Sequence, residues 1–337
     1  MIHSAIFLCL ATLAATSALA QEKLSWELGP TGSKVSFRGM HAVSENIIWI
    51  AGANSTVLRS TDGGSSWTDA SPDLGELQFR SIHAWNESEA CIASAGTPAI
   101  ILRTEDGGES WHEVYRNASE KAFFDGLAFW GTRGIAFGDP VDDSLLVVET
   151  GDGGGTWQEV TGLPKTREGE AGFAASDSSM IVGPGGKVWI GTGGGKEENS
   201  RVHLRGGWNQ AWSAASVPIP SRQEQGIFSL AASGKTLVAV GGDYRLGEHS
   251  PLTAAISKDS GKTWHAAKSP PAKFRSAVVC LDDGTWIATG PTGSDYSKDG
   301  ETWKQFSDTG FHALSKAGKT LFAVGSDGRF AVLKTGF

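Results

Sequence analysis

Three arginines, Arg38, Arg80 and Arg275, each follow a phenylalanine at what reads as one position of an internal repeat, with Asp125 and His312 holding that position in two other copies. Guanidinium groups gathered on one ring would attract a carboxylate or an acidic peptide through their planar donor forks and their summed field. A second constellation is Asp243, Tyr244 and Arg245, followed by Glu248, in a stretch with loop composition. A third is Asp139, Asp142 and Asp143, whose oxygens suit a hard cation but lack the spacing of a calcium loop, so a solvated acidic loop is expected. Gly193-Gly194-Gly195 is followed by Lys196 and Glu197 rather than the Lys-Ser/Thr of a phosphate cradle. The chain carries no H-E-x-x-H, G-x-S-x-G or C-x-x-C, and His203, His249 and His265 are scattered. The expected ligand- or partner-binding set is therefore Arg38, Arg80, Arg275, Asp125, Asp139, Asp243, Tyr244 and Arg245, with no catalytic residue, metal or cofactor.

The elements that hold these residues follow from the repeat. Ser60-Thr61-Asp62-Gly63-Gly64-Ser65-Ser66-Trp67 recurs from Thr104 to Trp111, from Thr150 to Trp157 and from Ser257 to Trp264, is shortened at Ser297 to Trp303, and has decayed to Arg205-Gly206-Gly207-Trp208 running on to Trp212. The Asp of each box can accept N–H groups of its own turn, Gly supplies positive φ, and Trp opens the next strand. Asp62, Asp106, Asp152, Asp259 and Asp299 come once per repeat. They lie around a ring, cannot converge on one substrate, and are expected to be structural. Before each box come an apolar strand ending at Gly, such as Ile48 to Gly52, and a strand led by Phe37, Phe79, Phe124, Phe173, Phe228, Phe274 or Phe311. Four short strands per unit of about 40–50 residues describe a propeller blade. Seven Trp strands and seven Phe-led strands are out of phase at the termini. The all-β expectation is thus a seven-bladed β-propeller of four-stranded blades, ring closed by an N-terminal strand around Trp26 that completes the last blade.

Composition agrees. Gly is 45 of 337 residues and Trp 13, fitting many short strands and tight turns and excluding a coiled coil or a disordered chain. The formal charge of −8 argues against a nucleic-acid partner. Residues 1–20 read as a signal peptide, an uncharged apolar run closing on Ala18-Leu19-Ala20, which leaves 21–337 as one domain, secreted or periplasmic, without a membrane span and monomeric. Cys91 and Cys280 read as two buried small hydrophobes.

The S/T-x-D-x-G-x-x-W turn is the Asp-box, or BNR repeat. From about Trp26 onward the chain resembles the photosystem II stability/assembly factor family of Asp-box propellers, with blades of the form F-R-x-[ILM], apolar-G, L-R-[ST]-x-D-G-G-x-[ST]-W. The resemblance implies a non-catalytic binding or assembly scaffold that recognises a protein partner or anionic ligand at one channel mouth. The alternative that Asp-box propellers offer is a sialidase-like glycoside hydrolase. Such enzymes set three arginines on a substrate carboxylate beside a Tyr nucleophile with a Glu partner and an Asp acid/base. The F/Y-R-I-P segment of those enzymes is absent, since Phe37-Arg38 continues Gly39-Met40. Of the tyrosines, Tyr115, Tyr244 and Tyr296, only Tyr244 lies in a suitable loop.

Overall fold

The computed structural model describes residues 23–246 and 250–336. The leader expected over residues 1–20, and Glu248 and His249, lie outside the described residues. The described chain forms seven four-stranded antiparallel sheets. Blade one runs through Phe37–Ala42, Ile48–Gly52, Val57–Ser60 and Thr68–Asp69 in spatial order, from the channel outward. Blades two to six repeat that order.

Each second strand is buried on both faces. Ile48–Gly52 and Ala90–Ser94 are buried at every position, as a strand sandwiched between neighbouring blades must be, which is why these segments read as continuous apolar runs. Cores form between blades rather than within them. Trp49 and Val57 of blade one pack with Phe79, Ile82 and Ile100 of blade two. Cys91 and Ile101 of blade two pack with Phe124 and Val148 of blade three. The same arrangement joins blades three to four, four to five, five to six and six to seven, and Phe322 and Phe330 close back onto Phe37 and Ile50. Cys280, expected to be buried, is half-exposed, whereas Cys91 is fully buried.

The ring closes as its two out-of-phase series require. Blade seven consists of Ala313–Ala317, Thr320–Val324, Arg329–Gly336 and, outermost, Lys23–Pro30. Trp26 lies opposite Leu333 and Glu27 opposite Val332. Trp26 also packs edge-on against Phe311 at 4.9 Å and donates from Nε1 to Ser294 Oγ of blade six at 3.0 Å. Among the described residues no helix is long and apolar enough to cross a membrane.

Candidate functional site

Backbone hydrogen bonds decide which residue of each innermost strand reaches the channel mouth. The N–H groups of Phe37, Phe124 and Phe311 donate to Gly325, Ser94 and Gly290 of the preceding blade, and all three rings are buried. The next residue, Arg38, Asp125 or His312, stands at the mouth. In blades one and two the strand bulges there, at Arg38 and Arg80, which re-aims the side chain. In blade six it is Arg275 whose N–H reaches Gly241 of the preceding blade, so Arg275 fills the phenylalanine slot and Ser276 takes the position of Arg38. The repeat position assigned to Arg275 from sequence is therefore one residue out. Arg275 is 1% exposed, and its Nε donates to Asp295 at 2.5 Å and Nη1 to the Phe274 carbonyl at 2.9 Å. It does not join the other two arginines. Blade five shows the same shift. Ile227 lies opposite Gly241, the bulge follows, and Phe228 rather than an arginine reaches the mouth.

Phe173 does not lead the innermost strand of blade four, which is Met180–Gly183. The residues before it form a segment that crosses the channel. Glu170 anchors it, accepting from Thr192 Oγ1 at 2.6 Å, His203 Nε2 at 2.8 Å and Arg201 Nε at 3.0 Å. Burial works against the Glu170 carboxylate, but the bonds from His203, Arg201 and Thr192 hold it far below the usual range. Gly172 N–H then donates to Asp139 Oδ1 at 2.9 Å, and a Cβ at Gly172 would run into the Asp125 carboxyl. The Ala174 and Ala175 carbonyls accept from Arg80 Nη1 at 3.1 Å and Arg38 Nη1 at 3.4 Å. Ser176 Oγ donates to the Ser276 carbonyl at 2.6 Å. Asp177, at φ 64°, accepts from Ile82 N–H at 2.9 Å and Leu127 N–H at 2.8 Å. The Ser178 carbonyl accepts from Leu230 N–H at 2.7 Å. One short segment thus ties blades one, two, three, five and six together across the axis. Burial raises the Asp177 carboxyl to about 8 against the opposing pull of its two N–H donors.

Above this plug lies a cleft of about 470 Å³. Arg38, Arg80, Asp125 and Asp139 line it together with an aromatic group of Phe173, Phe228, Phe274 and Tyr244. Phe173 stacks on Phe228 at 4.0 Å, Phe274 meets Phe228 edge-on at 4.6 Å, and Tyr244 packs on both Phe228 and Phe274. The charges are unequal. Burial lowers Arg80, which Asp125 partly offsets, while burial and the neighbouring Arg80 lower Arg38 to about 10. Among the described residues no carboxylate lies within salt-bridge distance of Arg38 or Arg80; their hydrogen bonds go to the plug carbonyls. Burial, then the charge of Asp139, push the Asp125 carboxyl well up, and burial raises Asp139 too. Burial and the arginines lower His312 to about 3, so it is neutral, hydrogen-bonded to Ser326 Oγ at 3.0 Å.

The other sequence candidates fall outside the cleft. Asp243 shapes its own loop by accepting the Arg245 N–H at 2.8 Å, and Arg245 points to Glu224 at 2.7 Å with its guanidinium 5.8 Å from the Tyr244 ring. Asp143 pairs with exposed Lys165, and among the described residues no group of three or more His, Cys, Asp or Glu side chains is placed to hold a metal. Two arginines, not three, reach the cleft, and Tyr244 is engaged by rings and by Arg245. Tyr115 lies on an outer strand, where it donates to Glu159, and Tyr296 lies on the third strand of blade six.

The five box aspartates lie at the opposite end, where the box turns bond to the first hairpin of their own blade. Asp106 accepts from Thr104 Oγ1 at 2.8 Å, Ser110 N–H at 2.9 Å and Ser110 Oγ at 2.5 Å. Asp62, Asp152 and Asp259 repeat the set, and Asp299 accepts from Ser297 Oγ at 2.9 Å and Thr302 N–H at 2.7 Å. These hydrogen bonds hold Asp62, Asp106 and Asp152 near 2.

Sequence reasoning missed the aromatic wall. Phe173, Phe228 and Phe274 read in sequence only as residues that open the innermost strands. The signal for the insertion was in the spacing, since about thirty positions separate Trp157 from Val188 while about two dozen separate Trp111 from Ile135.

Comparison with known proteins agrees with this architecture. Residues 18–121 match the family model described as photosynthesis system II assembly factor YCF48. No curated protein matches in sequence. Among solved structures, "YCF48 bound to D1 peptide" superposes with a TM-score of 0.64 at 17% identity, over 91% of this chain and 96% of that one. YCF48 from Cyanidioschyzon merolae gives 0.61 at 15% identity, over 91% and 98%. The WD40 repeats of RRP9 give 0.61 at 12% identity, over 93% and 98%, so the superposition speaks for the fold, and it is the motif-bearing match over the N-terminal blades that speaks for the family. The blade pattern of the matched residues continues to the C-terminal end, so over its described length the chain is similar to the photosystem II stability/assembly factor-like Asp-box propellers.

Proposed function

We propose that this propeller is a non-catalytic assembly scaffold that binds a segment of a partner protein in the cleft at the channel mouth. The observation that carries this reading is the juxtaposition of Arg38, a cation without a carboxylate partner among the described residues, and the wall formed by Phe173, Phe228, Phe274 and Tyr244. A half-buried guanidinium beside apolar rings suits an acidic residue next to an aromatic or aliphatic one. Arg80, partly offset by Asp125, positions the plug. The similar propeller solved with a D1 peptide supports a peptide segment as the ligand class. The apolar run over residues 1–20 supports export, with the mature chain beginning at Gln21 and acting in the periplasm or outside the cell; N-terminal sequencing of protein from the native host tests this.

The test is titration calorimetry with synthetic peptides that place Glu or Asp beside Phe or Leu. Binding should weaken at least tenfold when the peptide carboxylate becomes an amide, and likewise in Arg38→Gln, with a flatter salt dependence. Peptide affinity independent of both changes would remove the cleft as the docking site.

A further inference from the structure

We propose a second binding site, for a short oligosaccharide, in the cleft between blades three and four at the end opposite the channel mouth. The cleft has a volume of about 680 Å³, within the range of pockets that hold small ligands. It lies where the Asp-box has decayed. In the intact boxes the Ser/Thr hydroxyl and the Asp carboxylate satisfy each other and the turn. In blade four Arg205 stands at the Ser/Thr position and Gly207 at the Asp position, so that internal network is gone. A local rule broken in one repeat, while its neighbours keep it, marks a place where something other than folding is selected.

Tryptophan and guanidinium groups replace the lost network. The Arg205 guanidinium lies 4.7 Å from the Trp212 ring and 5.3 Å from the Trp208 ring, and it is ion-paired with Glu149 of blade three. Arg133 lies 5.4 Å from Trp208, is exposed, and has no carboxylate within salt-bridge distance among the described residues. Arg205 is 4% exposed, yet among the described residues its Nε–H has no acceptor, and neither has Trp212 Nε1–H. Around this stack the cleft presents the exposed amides of Gln158, Asn209 and Gln210.

That inventory fits a polyol. Guanidinium groups donate, carboxylates accept and side-chain amides do both, all in fixed planes, which suits the alternating hydroxyls of a pyranose, and a partly exposed indole offers a flat apolar surface to its C–H face. The charges nearly balance, Arg133 and Arg205 against Glu149 and Glu159, so no strong field selects a highly charged polymer. Apart from the two indoles, Val160 and Ala211, the lining is polar, charged or glycine, which gives the apolar side chain of a peptide little to anchor on.

The test is a glycan array probed with the full-length protein. It is followed by titration of chitotetraose, cellotetraose and tetragalacturonate, read by calorimetry and tryptophan fluorescence. Saturable binding of a neutral or a uronate tetramer is expected, with a shift in tryptophan emission. Gln158→Ala with Asn209→Ala, both at exposed positions, should weaken it at least tenfold. Trp208→Ala should abolish it, and Arg38→Gln should leave it unchanged, which separates this site from the peptide cleft. A blank array, sugar affinity untouched in the Gln158/Asn209 double variant, or loss of binding in Arg38→Gln would overturn the proposal. So would acidic peptides that bind here in place of sugar.

Discussion

The Arg275 guanidinium and the Asp295 carboxylate meet at 2.5 Å inside blade six, where blades one, two, three and seven place a phenylalanine ring and blade five an isoleucine. Both groups are almost fully withdrawn from water, and burial raises Asp295 against the pull of Arg275. Removing one partner of such a pair leaves the other charge stranded, which typically costs about 3–5 kcal/mol. Arg275→Gln should therefore lower the unfolding free energy by about that amount in a chemical-denaturation series, while Arg275→Met with Asp295→Leu should recover much of it. A single variant as stable as the parent would mean that blade six tolerates the unpaired carboxyl.

The box aspartates make an acid-side prediction. The folded pKa values of Asp62, Asp106 and Asp152, near 2, lie below the ordinary 3.8, so the stabilisation they bring is complete above about pH 4 and drains away as pH falls toward 2. Asp106→Ala should lower the melting temperature at neutral pH by about 2–4 °C and leave peptide binding intact. Its deficit relative to the parent should shrink between pH 4 and 2, as scanning calorimetry would show. A deficit that stays constant through that range would place the effect of Asp106 outside its ionised hydrogen bonds.

Much of the ring was legible because the Asp-box is a local device. Ser60, Asp62, Gly64 and Ser66 satisfy one another within a few residues, so the motif announces its own turn, and the turns count the blades. The phase mismatch that places Trp26 against Leu333 was legible for the same reason. The site was less so. Arg275 and Arg38 follow phenylalanines identically in sequence, and only the backbone bond from Arg275 N–H to Gly241 reveals the one-residue slip. Phe173 carries the same letter as Phe37, but its segment is held by Glu170 and by five different blades, contacts that no local pattern encodes. Arg38 and Arg80 stand together at the mouth, as their shared repeat position implies, because both sit in repeats that keep the unshifted register.

Ring closure by the N-terminal strand has a direct mechanical consequence. Lys23–Pro30 pairs with Arg329–Gly336 along its whole length and buries Trp26 against Phe311. Removing residues 21–30 exposes the edge of Arg329–Gly336 and uncovers the junction of blades six and seven. The truncated protein should melt at least 10 °C lower and aggregate on heating, whereas Trp26→Phe should cost only a few degrees. A truncated form melting with the parent would show that blade seven is stable with three strands.

The channel plug predicts an alkaline-side effect of opposite sign. Asp177 has a folded pKa of about 8 against an ordinary 3.8, so the native state holds its proton where the unfolded chain has released it. Stability from this group is full below about pH 4 and falls as pH rises toward 8, by at most about 1.4 kcal/mol per pH unit for one proton. Asp125 and Asp139 are raised in the same sense, so Asp177 carries only part of the slope. Asn at this position tolerates the left-handed backbone and keeps one carbonyl acceptor for the Ile82 or Leu127 N–H, but it cannot ionise. Asp177→Asn should therefore be less stable than the parent at pH 5, where it has lost one acceptor, and should gain on it steadily up to about pH 8, levelling off above that. The variant and parent curves of unfolding free energy against pH should converge or cross in that interval. Parallel curves from pH 5 to pH 9 would mean that the Asp177 carboxyl is already ionised in the channel, held by its two N–H donors more strongly than burial opposes them.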